Sequence, residues 1–461
     1  MVRFGRALPK ICRIRSASNL NLLILIFIVI VCLICINKTL VEKKSQNISD
    51  LTSTILTAAK GGSFLDYIAI ESPDDHLWQT NCGGNINIIN KRVLLLKNGI
   101  ISGYFLNAKQ TGEVDVENVI GQAEKDEFVT VEKEFIRVPC EDVTFPKLDV
   151  KSGYIHLIES IDVTGPDNYY GTTFHRSSEQ FVIIIERKDY ANVYWTMVEL
   201  YNAFLTVRMF LRDPKQTCVF LLDVHPKGKL DEIWEMVFGN VVKVKDIKNH
   251  EWNFKNLVFG IDRYSGPITT ELESLPFISE FQQTIYHANG IITPTKKPCS
   301  LGKQYLNITL ILRHDYVAHA RNPTGKIKRK LANEGEIISH IKSAIPSTKL
   351  TAVQLEDLSM KNQVELIYHT DIMIGVHGAG LGHVTLMRPD TGLIELFPTS
   401  YFLFRNRHFE DLAGWVGVHY YSWYNRDIFF SDLELMYVSP KTIEQLIKEM
   451  AARICSSGSR S

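Results

Sequence analysis

The chain has 461 residues, 51 Lys and Arg against 51 Asp and Glu, and 45% hydrophobic residues. With zero formal charge and no long basic tract, nucleic acid is not an expected partner, and the length suggests two domains with real cores. The four closely spaced cations Lys326, Lys328, Arg329 and Lys330 read as a solvated helix start and not as a phosphate site.

Residues 1–19 carry Arg3, Arg6, Lys10, Arg13 and Arg15 and are followed by an apolar run over 20–36 broken only by Asn21. That run is about the shortest that spans a bilayer, and the flanking charge puts the N-terminus in the cytosol. No small-x-small cleavage site precedes Asn37, which favours an uncleaved single-pass anchor over a signal peptide. Residues 37–60 would be a stem and 61–461 the lumenal part. Asn37, Asn47 and Asn307 open Asn-x-Ser/Thr sequons; Asn47 and Asn307 are the expected glycan sites, Asn37 being too close to the bilayer.

Beyond the anchor lie Cys82, Cys140, Cys218, Cys299 and Cys455, an odd set that leaves one thiol unpaired, with Cys82–Cys140 the favoured bridge. No Cys-x-x-Cys occurs there, so structural zinc is not expected. Short apolar runs then alternate with helical patterns, which predicts an α/β architecture. Strands are expected over 181–186, 218–224, 305–312 and 371–376. Helices are expected over 190–211, 229–238 and 334–343, with an amphipathic helix over 441–453 that packs back on the first domain. Pro294, Pro298 and Gly302 set the boundary between domains 61–297 and 298–461.

After the last of these strands comes a glycine turn, His377-Gly378-Ala379-Gly380-Leu381, then His383 on an expected helix and Glu395 on the next strand. Glycines that admit a phosphate, histidine donors beside it, a helix N-terminus and a carboxylate for a ribose together describe a nucleotide pocket. Arg313, at the end of strand 305–312, is the expected diphosphate cation, because a guanidinium can hold two phosphate oxygens. No Asp-x-Asp occurs in the chain, so neither metal nor cofactor is expected to hold the diphosphate.

The turn, with Pro389 and Glu395, resembles glycosyltransferase family 61. The likeness is strongest to its plant-type β-1,2-xylosyltransferases of N-glycan cores, and it extends to Tyr190-Ala191-Asn192 with Glu199, to 219–223 with His225, to 313–319 and to 326–334. The resemblance implies a GT-B fold, two Rossmann-like domains facing a cleft with the C-terminal one binding the nucleotide sugar. It also implies inversion without a metal, and a type II Golgi membrane enzyme that uses UDP-xylose and an N-glycan acceptor. Inversion needs a base, for which Glu199 is the first expectation and Asp223, Asp315 and His225 are fallbacks. Asn192, Trp195 and His225 would meet the acceptor. Trp195 stands where many members have His, and Gly382 where Thr is frequent; the first departure puts a histidine base in doubt and the second leaves the turn softer. Alternatives are an O-linked GlcNAc transferase of the same family, whose endoplasmic reticulum members can end in a retention tetrapeptide unlike the Gly-Ser-Arg-Ser here, and an inactive sugar-binding protein. A single-pass receptor is disfavoured by the short, basic cytosolic segment.

Overall fold

The computed structural model describes residues 78–142, 148, 152–165, 176–270, 272–292, 298–299, 305–399, 406–426 and 435–457. The expected tail, anchor and stem, with Asn47, lie outside the described residues. Among the described residues no helix is long and apolar enough to cross a membrane.

Strands β1 (Trp78–Asn81), β2 (Ile86–Ile89) and β3 (Val93–Ser102) form an antiparallel ribbon. The two-residue strands β4 (Leu106–Asn107) and β5 (Thr130–Val131) pair with each other. Next come β6 (Ile136–Pro139), β7 (Ile161–Thr164), β8 (Arg176–Ile185), β9 (Thr217–Leu221), β10 (Asn240–Lys243) and β11 (Glu251–Phe259). They complete a sheet of order β1-β2-β3-β11-β8-β9-β10, parallel from β11 to β10, with β6 joining β3 to β7. The run Phe181–Ile185 on β8 is buried throughout, as a strand covered on both faces must be. Truncating Ile184 at its centre to Ala would cost about 2–5 kcal/mol.

The second sheet is wholly parallel. Its order is β14-β12-β15-β16-β17, built from β12 (Leu306–Ile311), β14 (Thr348–Val353), β15 (Ile372–Val376), β16 (Gly392–Phe397) and β17 (His419–Tyr424). The two-residue strands β13 (Lys330–Leu331) and β18 (Leu435–Met436) pair apart from it. The strands of the two sheets fall on either side of residues 297–298, and both sheets lie within one compact unit, Asp66–Ser461.

Helix α1 (Val193–Met209) packs on β8 and also on the turn after β15, which explains why it is buried nearly all round. It begins three residues later than the apolar pattern predicts because Asn192 caps it, its side-chain oxygen accepting from the Trp195 N–H at 3.3 Å. Helices α2 (Asp231–Val237), α3 (Ile278–Ala288), α4 (Glu334–Ala344), α5 (Met360–His369) and α6 (His408–Val416) follow. The terminal helix α7 (Pro440–Ser457) corrects one expectation: it packs on α4 and on β15–β17, in the second half and not the first. Ile443, Leu446, Ile447, Met450 and Ile454 form a helical stripe that enters one core with Ile337 and Ile341 of α4. A Cys299–Cys455 disulfide ties this helix down, Cys82–Cys140 is bridged as expected, and Cys218 is the free, buried thiol among the described residues.

Candidate active site

Numbered along the chain, the five strands of the second sheet lie in the order 2-1-3-4-5, so the connections leave in opposite directions from β12 and β15. In such sheets a crevice opens outside the carboxyl ends of the strands at this switch point. Arg313 follows β12 and the glycine turn follows β15, so both meet at the crevice. A cavity of about 340 Å³ lies there. Its wall also takes Tyr190–Val193 after β8, Lys227–Leu230 after β9 and Leu355–Glu356 after β14, so carboxyl-end loops of both sheets contribute.

The wall carries the cations Lys227, Lys229 and Arg313 and the imidazoles of His319 and His383. Arg313 Nε donates to the Lys328 carbonyl at 3.2 Å, and Lys229 Nζ donates to the Glu356 carbonyl. The Glu356 carboxylate accepts from the Tyr316 hydroxyl at 3.0 Å. Burial, with the Glu356 charge beside it, pushes the Tyr316 phenol well above its ordinary range. Burial likewise pushes Tyr190 up to about 12, and its oxygen accepts the Ala320 N–H at 3.1 Å.

Of the residues expected to bind the nucleotide sugar, Arg313, Ala379, Gly380 and His383 line the cavity. His383 does so fully buried: Nδ1 donates to the Gly380 carbonyl and Nε2 meets the Gln363 side chain, both at 2.8 Å, and burial pushes its pKa down to about 4. His377, Gly378, Leu381 and Glu395 stand behind the wall. Glu395 is completely buried, one oxygen bonded to His377 Nδ1 and the other accepting from the Tyr420 hydroxyl at 2.6 Å, so it orients His377 instead of meeting a ribose. The helix expected after the turn is a 3₁₀ segment, Ala379–Leu386. Gly382 within it is not a soft point, because an ideal Cβ there would stand 3.0 Å from the backbone N and Cα of Tyr194; glycine lets α1 and the turn touch.

The carboxylates expected as bases are all off the wall. Asp315 is exposed, bound by the Ile327 N–H and Lys330 Nζ, which lower its pKa. Asp223 is buried and held by Arg187 through Nε at 2.9 Å and Nη2 at 2.7 Å; burial raises its pKa, but the guanidinium overrides this and lowers it far below the carboxylate range. Glu199 is buried on α1, accepts the Lys188 N–H at 2.7 Å and lies 3.8 Å from Arg263 Nε. Burial wins over Arg263 and pushes its pKa up to about 8, so at neutral pH it is held mostly protonated.

Of the expected acceptor contacts, Asn192 reaches the cavity. His225 sits beneath it, its Nε2 donating to the Arg187 carbonyl at 3.1 Å and Nδ1 lying 3.3 Å from Glu127. Burial opposes its charge, yet the carboxylates of Asp223 and Glu127 hold its pKa above the ordinary value. Trp195 lies away from the wall, half-buried, edge-on to Tyr194 at 5.4 Å and to the exposed Tyr264 at 5.9 Å. Asn307 is the second residue of β12 and donates to the His369 carbonyl at 2.9 Å, while the sequon's Thr309 is buried.

The wall residues Tyr190, Lys227, Lys229, His319, Glu356 and Gln363 were not anticipated. Tyr190 and His319 belong to the segments that carry the family resemblance, and the two lysines follow the carboxyl end of a parallel strand, so both signals were present.

Residues 176–394 match the family model Glycosyltransferase 61. A Beta-1,2-xylosyltransferase of Oryza sativa subsp. japonica is 25% identical over 354 residues, 69% of this chain and 65% of that protein. A Beta-1,2-xylosyltransferase of Arabidopsis thaliana is 29% identical over 282 residues, 53% of this chain and 51% of that protein. An EGF domain-specific O-linked N-acetylglucosamine transferase of Gallus gallus is 24% identical over 269 residues, 54% of this chain and 46% of that protein. The chain thus spans about half to two thirds of the length of these relatives. Residues 176–394, which build the carboxyl-end loops of the cavity, are thus similar to glycosyltransferase family 61.

Proposed function

We propose that the chain is an inverting glycosyltransferase of GT-B type that moves xylose from UDP-xylose to the core β-mannose of N-glycans in β-1,2 linkage. The observation that carries this reading is the cationic cavity at the β12/β15 switch point, with Arg313 beside the glycine turn. Arg313, Lys227 and Lys229 would hold the diphosphate together with the backbone of Ala379 and Gly380, without a metal. As the bond from C1 to the UDP oxygen stretches, its electron pair moves onto the diphosphate, where fixed cations in a partly desolvated site stabilise it most. Residues 298–461 would bind the donor and 61–297 the acceptor.

The choice of xylose rests on the two xylosyltransferase relatives, and the Golgi type II placement on the apolar run over 20–36. Two disulfides fit an oxidising lumen. A second reading, transfer of GlcNAc to a protein hydroxyl, is motivated by the likeness to the O-linked N-acetylglucosamine transferase. The test is a donor panel with the full chain in detergent, following UDP release and product mass on a GlcNAc-terminated N-glycan, with and without EDTA. A pentose added from UDP-xylose in EDTA is the expected result. Transfer of GlcNAc to a protein acceptor alone would favour the second reading, and donor binding without transfer to any acceptor would mark an inactive sugar-binding protein.

A further inference from the structure

We propose that His319, backed by Asp189, is the general base that takes the proton from the acceptor hydroxyl. This rests on the transferase reading above.

The His319 ring is on the cavity wall, edge-on to Tyr190 at 5.3 Å between centroids. Its Nδ1 is buried, has no hydrogen-bond partner and lies 3.6 Å from Asp189 Oδ1. Asp189 is itself fixed, Oδ1 accepting the Ala191 N–H at 2.8 Å and Oδ2 accepting from Arg321 Nη2 at 3.2 Å. An imidazole with a carboxylate behind one nitrogen is held in one tautomer and keeps the other nitrogen basic. In this structure the pair is slightly open, and a short inward movement of the ring would close it; such contacts often tighten only when substrate is bound.

The other titratable groups on the wall are poorly suited. The Glu356 carboxylate accepts the Tyr316 hydroxyl, His383 has both nitrogens engaged, and the phenols of Tyr190 and Tyr316 are held protonated. His319 starts neutral: burial lowers its pKa, Asp189 and Glu127 raise it, and Arg321 and His225 lower it, with Glu124 and Tyr190 completing its surroundings. A neutral imidazole next to two carboxylates can accept a proton and be stabilised as it does so.

In the step, the acceptor O–H proton passes to the imidazole and the oxygen's electron pair forms the new bond to the anomeric carbon. The old C1–O pair departs on UDP, and the imidazolium later loses its proton to water. Asp189 acts through His319 and is a positioning residue.

The experiment compares kcat/KM against pH for the full chain, His319→Asn, Asp189→Asn and Glu356→Gln, with UDP affinity measured for each. His319→Asn is expected to lower kcat by about a hundredfold or more and to remove the acid limb, while it still binds UDP, which verifies its fold. Asp189→Asn should lower kcat less and shift the acid limb to lower pH, because the imidazolium loses its carboxylate. Near-normal kcat in His319→Asn, or loss of the acid limb in Glu356→Gln instead, would overturn the assignment alone. A wild-type chain that transfers no sugar from any UDP donor would remove the transferase reading and this proposal together.

Discussion

The Arg313 guanidinium fills the space that a side chain at residue 378 would occupy: an ideal Cβ on Gly378 would stand 3.1 Å from Arg313 Cζ and closer still to Nη1. The backbone of Gly378 is extended, a conformation open to any residue, so the glycine is required by this close approach. Gly378→Ala should therefore push the guanidinium away from the cavity with little effect on Tm, since the displaced group is the end of a flexible side chain. The loss of a charge-assisted contact, about 1.5–3 kcal/mol, predicts UDP affinity weaker by roughly ten- to a hundredfold in calorimetry.

Glu199 makes a pH-dependent contribution with a defined sign. Its folded-state pKa, pushed up to about 8 by burial, lies above the ordinary value of 4.5, so the folded chain holds one more proton between those values. Stability must then fall as pH rises through that window. Glu199→Gln removes this slope, and the variant should match wild type in Tm near the bottom of the window and exceed it toward the top. A wild type that gains on the variant with rising pH would mean that Glu199 is ionised against Arg263. Turnover should change little, since Glu199 is off the cavity wall.

Asp223→Asn addresses the buried network in which Arg187 holds both Asp223 and Asp231. Removing one carboxylate leaves a buried guanidinium undercompensated, which predicts a loss of about 3–5 kcal/mol in denaturant unfolding. Because the folded pKa of Asp223 is depressed, its contribution is present above the unfolded value of 3.8 and is lost on acidification. A variant that folds normally but cannot turn over would return Asp223 to the list of bases.

Cys218 is buried in β9, and burial pushes its thiol up to about 12. Alkylation mapped by mass spectrometry should leave it unlabelled in the native chain and label it after denaturation. Cys82, Cys140, Cys299 and Cys455 should react only after reduction.

Much of the α/β alternation was legible because parallel strands buried on both faces read as continuous apolar runs, as over Phe181–Ile185 and Ile372–Val376. The ribbon β1–β3, although its strands are neighbours in sequence, and strand β11, whose pairing with β3 is long-range, were not. Motif residues fixed the place of the cavity but not which side chains reach it. His377 and Glu395 lie in the most recognisable stretch and bond to each other behind the wall, while Lys227, Lys229 and His319 arrive there through the topology of two sheets. The side assignment of helix α7 failed for a related reason: an apolar stripe says that a helix is covered, not by what.

Everything proposed for this chain requires that the cavity at the β12/β15 switch point hold the diphosphate of a UDP-sugar. The direct measurement is calorimetric titration of UDP into the full chain and into Arg313→Ala. Saturable binding is expected for the wild type and is expected to be lost, without loss of folding, in the variant. UDP bound equally well by Arg313→Ala, or not at all by a folded wild type, would contradict it.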